Sequence, residues 1–201
     1  LNRQVLGCRH KRHRRGIIPK TVARICTQPF FYVRALLEKR VFSWSEAAMR
    51  YWLMKSEPDE VSFDDVLAAP GQTVAWFGVR NYQARNFMRD AMQPGDGVLF
   101  YHSSCPVPGV AGIAQVASGP YPDASQFDSK GKYFDPKATR EQPRWISVDV
   151  KAVEQGRYLP LSEMRAIPEL EDMVLLQKGS RLSISPVTPG QWNRILELIR
   201  N

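Results

Sequence analysis

Cysteine is scarce in this chain and long apolar runs are missing, and each absence removes a class of function. Cys8, Cys26 and Cys105 are odd in number and lie far apart. They form neither the close pairs of a zinc site nor the dense framework of a secreted disulfide scaffold, and their usage suits a reducing cytoplasm. His10, His13 and His102 show no ligand spacing with acidic or sulfur partners, so neither a metal nor a cofactor is expected. Apolar runs are broken by Pro, Gly or charge within about eight positions, short of the ~18 residues of a membrane span, and no membrane partner is expected. Also missing are a Walker loop, a GxGxxG turn after a strand, a GxSxG elbow and a His-Glu pair on a helix.

What is present is enough apolar material for one core. The chain has 201 residues, 43% of them hydrophobic, a length at which a single domain is the default. Its formal charge of +8 is unevenly placed. Residues 1–48 hold eleven Lys or Arg against Glu38 and Glu46, a net +9, whereas residues 49–201 hold 17 basic and 18 acidic side chains, a net −1. The first segment begins with Leu1, runs through RHKRHRRGIIPK and has no apolar period beyond a short helical pattern at 35–46. It is expected to be a basic extension, disordered or not native to the protein, in front of a domain at 49–201. A nearly neutral domain does not hold long duplex by charge alone, so any nucleic-acid recognition must come from a shaped pocket.

The periodicity after Met49 mixes short strands with short helices. YWLMK reads as a strand, and Ser62 with Asp65 three residues on starts a helix that Pro70-Gly71 stops. TVAWFG is a second strand; Asn81 to Met92 reads as a helix burying Tyr82, Phe87, Met88 and Met92. GVLFYHS and GVAGIAQVAS suit adjacent antiparallel strands. Residues 119–143 carry Tyr121, Phe127, Tyr133 and Phe134, too aromatic for a free linker, and are expected to pack over the sheet. RWISVDVKAVEQ alternates as a long strand, helical turns follow at 161–166 and 168–176, RLSISPV closes the sheet, and Thr188 starts a last helix ending near Arg200. Five to seven strands without regular βαβ alternation give an α+β domain on a twisted, partly closed sheet.

No catalytic constellation assembles. His102 and Cys105 are three apart, but Cys105 precedes Pro106 and no orienting acid is evident. Glu57 and Asp59 read as solvated or capping carboxylates in a turn before a helix. What accumulates at strand ends is aromatic and polar: Trp52, Lys55-Ser56-Glu57-Pro58, Trp76, Arg80-Asn81-Tyr82, Tyr101-His102-Ser103 and Arg181-Leu182-Ser183. A base taken out of its stack needs an aromatic face and a few edge donors and acceptors, and these residues supply both. The alternatives stay open: Trp76 as a core residue, Arg80 as a strand cap, His102 as an ordinary half-buried imidazole.

Four ordered segments, MRYWLMKSEPDEVSF (49–63), WFGVRNYQARNFMR (76–89), GDGVLFYHS (95–103) and RLSISPVTPGQW (181–192), resemble the signature segments of the EVE domain family. The resemblance implies a PUA-like β-barrel flanked by short helices, akin to ASCH and YTH domains. It also implies a pocket for a modified base, methylated or hydroxymethylated cytosine in DNA or a modified base in RNA. It points to Lys55, Ser56, Trp76, Arg80, Asn81, Tyr82, His102, Ser103 and Leu182, and the aromatic loop adds Tyr133. The roles expected are Trp76 stacking on the base, Ser56, Asn81 and Ser103 at its polar edge, and Lys55 and Arg80 on flanking phosphates. A non-catalytic module follows; the rivals are a hydrolase acting on a nucleoside or amide through Lys55 or Glu57, and a protein-interaction module.

Overall fold

The computed structural model describes residues 49–201, so the expectations for residues 1–48 lie outside the described residues. Among the described residues there are eight strands: β1 (Tyr51–Ser56), β2 (Thr73–Trp76), β3 (Gly97–His102), β4 (Gly109–Val116), β5 (Tyr121–Pro122), β6 (Ile146–Glu154), β7 (Leu159–Pro160) and β8 (Ile184–Val187). Four α-helices accompany them, α1 (Phe63–Ala68), α2 (Tyr82–Asn86), α3 (Leu161–Met164) and α4 (Pro189–Arg200). The sheet runs β2-β6-β4-β3-β1-β8, with β5 beside β6 and β7 beside β4. β1 and β3 are parallel and the remaining pairs antiparallel. The path ends on β2 and β8; the barrel expected from the sequence is therefore an open, mixed sheet.

Both faces of the central strands are buried, which is why YWLM and VLFY are continuous apolar runs. Trp52 and Met54 of β1 and Val98 and Phe100 of β3 enter one core with Phe63 and Val66 of α1 and Ala84 of α2. The alternate residues Leu53, Leu99 and Tyr101 enter a second core with Trp192, Ile195 and Ile199 of α4. Period-two alternation thus feeds two layers from the same strands. In β4, Gly112 lets the Phe63 ring lie against the backbone: a Cβ there would sit 2.2 Å from a ring carbon.

Local chemistry sets the helix starts. Ser62 accepts from the Asp65 N–H while the Asp65 carboxylate accepts from the Ser62 N–H, a reciprocal cap. Thr188 and Gln191 repeat the device at α4. Asn81 Oδ1 accepts from the Gln83 and Ala84 N–H groups and starts α2. The helix expected to Met92 becomes a π-turn over Phe87–Ala91, and 168–176 resolves into two 3₁₀ turns, Pro168–Leu170 and Val174–Leu176. Tyr82, expected in the buried stripe, is 49% exposed.

Candidate nucleic-acid interface

A cavity of about 490 Å³ lies where the sheet stays open. Val74, Ala75 and Trp76 of β2 form one side, and Lys55 and Ser56 of β1 with Arg181 and Ser183 before β8 form the other. Its wall after β2 comes from Phe77 to Asn81, and its rim from Glu57, Glu60 and Tyr133.

Arg80 organises that wall. Its Nη1 donates to Asp123 Oδ2 at 2.8 Å, Nη2 to Ser125 Oγ at 3.1 Å, and Nε to the Tyr133 carbonyl at 3.0 Å. Asp123 is 1% exposed and also accepts from the Gly78 N–H at 3.0 Å and the Ser125 N–H at 2.8 Å. Burial alone would raise the Asp123 carboxyl, but the hydrogen bonds from Arg80, Ser125 and Gly78 outweigh it and hold it below the ordinary carboxylate range. The phosphate contact expected of Arg80 does not fit this geometry, because its guanidinium is committed to the protein.

Tyr133 is held at both ends. Arg80 grips its carbonyl, and its hydroxyl donates to the Glu60 carboxylate at 2.6 Å. Lys132 Nζ lies 2.5 Å from Glu60, and with the Tyr133 hydroxyl it keeps the Glu60 carboxyl below its usual value. Burial, then the bond to Glu60, pushes the Tyr133 phenol up. Gly78, at φ 77°, passes beneath the ring, where a Cβ would lie 2.8 Å from Tyr133 Cζ. Phe77, 43% exposed, meets the same ring edge-on at 6.0 Å.

Of the ten residues expected at the site, Lys55, Ser56, Trp76, Arg80, Asn81, Ser103 and Tyr133 line the cavity. Lys55 is half-buried with burial alone lowering its ammonium, and it pairs with no carboxylate among the described residues. Ser56 Oγ donates to the Val61 carbonyl at 2.6 Å, and Ser103 Oγ to the Ser56 carbonyl at 3.1 Å. Trp76 is only 7% exposed and packs edge-on against Phe100 at 5.3 Å. It is at once a core residue and the cavity floor, so the more exposed aromatic rings at the cavity are those of Phe77 and Tyr133.

Tyr82, His102 and Leu182 are not brought into the cavity. Tyr82 stacks on Trp145 outside it, with centroids 5.0 Å apart. His102, opposite Ser56 in the β1–β3 register, accepts the Phe63 N–H on Nε2 at 3.1 Å and so supports the start of α1. Burial lowers its pKa, against a smaller opposing effect of Asp64, favouring the neutral ring this bond requires. Cys105 Sγ contacts the Val107 carbonyl at 3.4 Å, so the His102–Cys105 pairing considered above is not assembled. Leu182 lies between two lining residues without lining the cavity itself. The sequence reading missed Glu60, Phe77, Gly78 and Asp123; the buried acid that anchors Arg80 lies 43 residues from it, and no local pattern marks it.

The EVE domain family model matches residues 50–198 of this open α+β sheet. The chain belongs to this family. Thymocyte nuclear protein 1 of Homo sapiens is 40% identical over 166 residues, covering 74% of this chain and 73% of that protein. A Pseudomonas putida protein of known structure is 50% identical, with a TM-score of 0.70 over 74% of this chain and 98% of that one. The crystal structure of human THYN1 protein in complex with 5-methylcytosine-containing DNA is 39% identical, with a TM-score of 0.70 over 76% and 98% of the two chains.

Proposed function

We propose that this chain reads a 5-methylcytosine-type base in DNA, held out of its stack in the cavity between β1 and β2, without chemical turnover. The observation that carries the reading is the cavity itself, with an apolar floor at Trp76, aromatic walls at Phe77 and Tyr133, and an unpaired half-buried ammonium at Lys55. The human relative seen with 5-methylcytosine DNA supports it. Lys55 donates to a ring acceptor or adjoining phosphate, and a rim carboxylate, Glu57 or Glu60, accepts from the exocyclic amine that distinguishes cytosine from thymine. No helix among the described residues is long and apolar enough to cross a membrane. The expected cytoplasmic location gains no support from relatives named as nuclear proteins.

The test is a titration of the full chain with 12-residue DNA strands bearing one central cytosine, 5-methylcytosine or thymine, and an RNA strand bearing 5-methylcytidine. Burying one methyl contributes ~0.8 kcal/mol, so 5-methylcytosine should bind about fourfold tighter than cytosine. Equal affinity for the cytosine and 5-methylcytosine strands overturns the proposal, preference for the RNA strand reassigns the partner, and appearance of an altered nucleoside favours the hydrolase reading.

A further inference from the structure

The face of Tyr82 lies outside the cavity, yet it is built as if to be used. Tyr82 is one of few large hydrophobic side chains left open, 49% exposed, but its ring is stacked on buried Trp145 at 27° and is not free to swing. Arg85 Cζ stands 4.7 Å from the Tyr82 centroid and Arg144 Cζ 5.8 Å. Arg144 also hydrogen-bonds the Tyr82 hydroxyl and pairs with Asp135 at 3.3 Å. Arg85 donates to Asn86 Oδ1 and the Arg144 carbonyl and, among the described residues, pairs with no carboxylate within salt-bridge distance. The patch is therefore a rigid aromatic surface beside guanidinium N–H groups that are not all committed, in a domain whose overall charge is −1.

Its place relative to the cavity identifies the occupant. Asn81 lines the cavity and Tyr82 follows it, one Cα step of about 3.8 Å away. Arg80, in the cavity wall, also lies over the Trp145 ring, 5.3 Å from its centroid. A strand that places one base in the cavity must run its next nucleotides over adjacent surface, and a fixed aromatic ring with nearby guanidinium groups suits an unstacked base and its phosphate. We infer that Tyr82, Arg85 and Arg144 hold the nucleotide adjoining the base in the cavity, Tyr82 by stacking and the arginines by phosphate contact. This surface sets affinity for the strand and leaves the choice of base to the cavity. The inference rests on the base-reading proposal for the cavity.

The test uses the full chain and three probes: a 12-residue DNA strand with a central 5-methylcytosine, its cytosine counterpart, and free 5-methyl-2′-deoxycytidine. Arg85→Gln and Tyr82→Leu should each weaken both strands about five- to tenfold, keep their affinity ratio, and leave nucleoside binding unchanged. Tyr82→Phe keeps the stack and should bind the strands within twofold of the native chain. Should Tyr82→Leu lower the thermal midpoint markedly, Arg85→Gln alone decides. Unchanged strand affinity in Arg85→Gln, or an equal loss for strand and nucleoside, overturns the inference. If the native chain does not distinguish 5-methylcytosine from cytosine, the cavity reading fails, while the strand affinity of these variants still judges the Tyr82 surface.

Discussion

Replacing Gly78 with alanine tests how the cavity wall is held. Gly78 has φ 77°, and an alanine there takes a left-handed conformation costing ~1–2 kcal/mol. Its Cβ would also stand 2.8 Å from Tyr133 Cζ and 2.9 Å from Cε2. A free tyrosine would swing aside at small cost, but here Glu60 holds the hydroxyl and Arg80 the carbonyl. Relieving the clash therefore strains one of these contacts, and overpacking of this kind costs ~1–3 kcal/mol. The two contributions come to roughly 2–5 kcal/mol, which for a chain of this size lowers the thermal midpoint by about 4–20 °C. Differential scanning calorimetry measures the loss, and urea midpoints of Gly78→Ala, Tyr133→Ala and the double variant divide it. Tyr133→Ala should remove the steric part and leave the backbone part, so the double variant should be more stable than additivity predicts by ~1 kcal/mol or more. Additive losses, or a Gly78→Ala cost under about 0.5 kcal/mol, would refute the reasoning that Tyr133 is clamped over Gly78.

Further outcomes follow from the same geometry. Arg80→Ala strands the buried Asp123 carboxylate and should cost ~3 kcal/mol by urea denaturation. Because the folded-state pKa of Asp123 is depressed, its stabilisation is present above the unfolded value near 3.9 and is lost as pH falls through the lower folded value. The stability difference between the native chain and Asp123→Asn should thus be flat from pH 7 to about 5 and shrink below about 4. Lys55→Met removes an ammonium whose pKa burial lowers, so it should raise the urea midpoint at pH 7 while weakening DNA binding. Trp76→Ala should cost ~3–5 kcal/mol because the ring is core, and Trp76→Phe is the variant in which binding can be read without unfolding. Deleting residues 1–48, with their net +9, should leave the thermal midpoint unchanged and remove a salt-sensitive part of DNA binding; a large fall in the midpoint would make them part of the fold.

Features set by neighbours in sequence were legible before the structure. The reciprocal caps at Ser62–Asp65 and Thr188–Gln191 and the alternation in β6 are short-range devices, and their residues announce them. Tyr82 was misplaced because six residues of α-helical spacing set it roughly 120° from Met88, so as the first residue of α2 it falls off the buried stripe. Seven of ten expected site residues line the cavity: strand ends bring together six that the four family segments carry, and the aromatic loop brings Tyr133. The remainder was hidden by distance. Asp123 acquires its meaning only when the chain returns to Arg80, and Glu60 only when the loop carrying Tyr133 crosses it. The openness of the sheet was equally invisible, since whether β2 and β8 meet depends on how far the strands between them coil.

A crystal structure of this chain with a DNA strand bearing one 5-methylcytosine tests the central claim most directly. The modified base should lie out of its stack in the cavity, above Trp76, against the adjoining rings of Phe77 and Tyr133 and within reach of Lys55. A modified base that stays stacked in the DNA, with the protein bound elsewhere and the cavity holding no base, would contradict it.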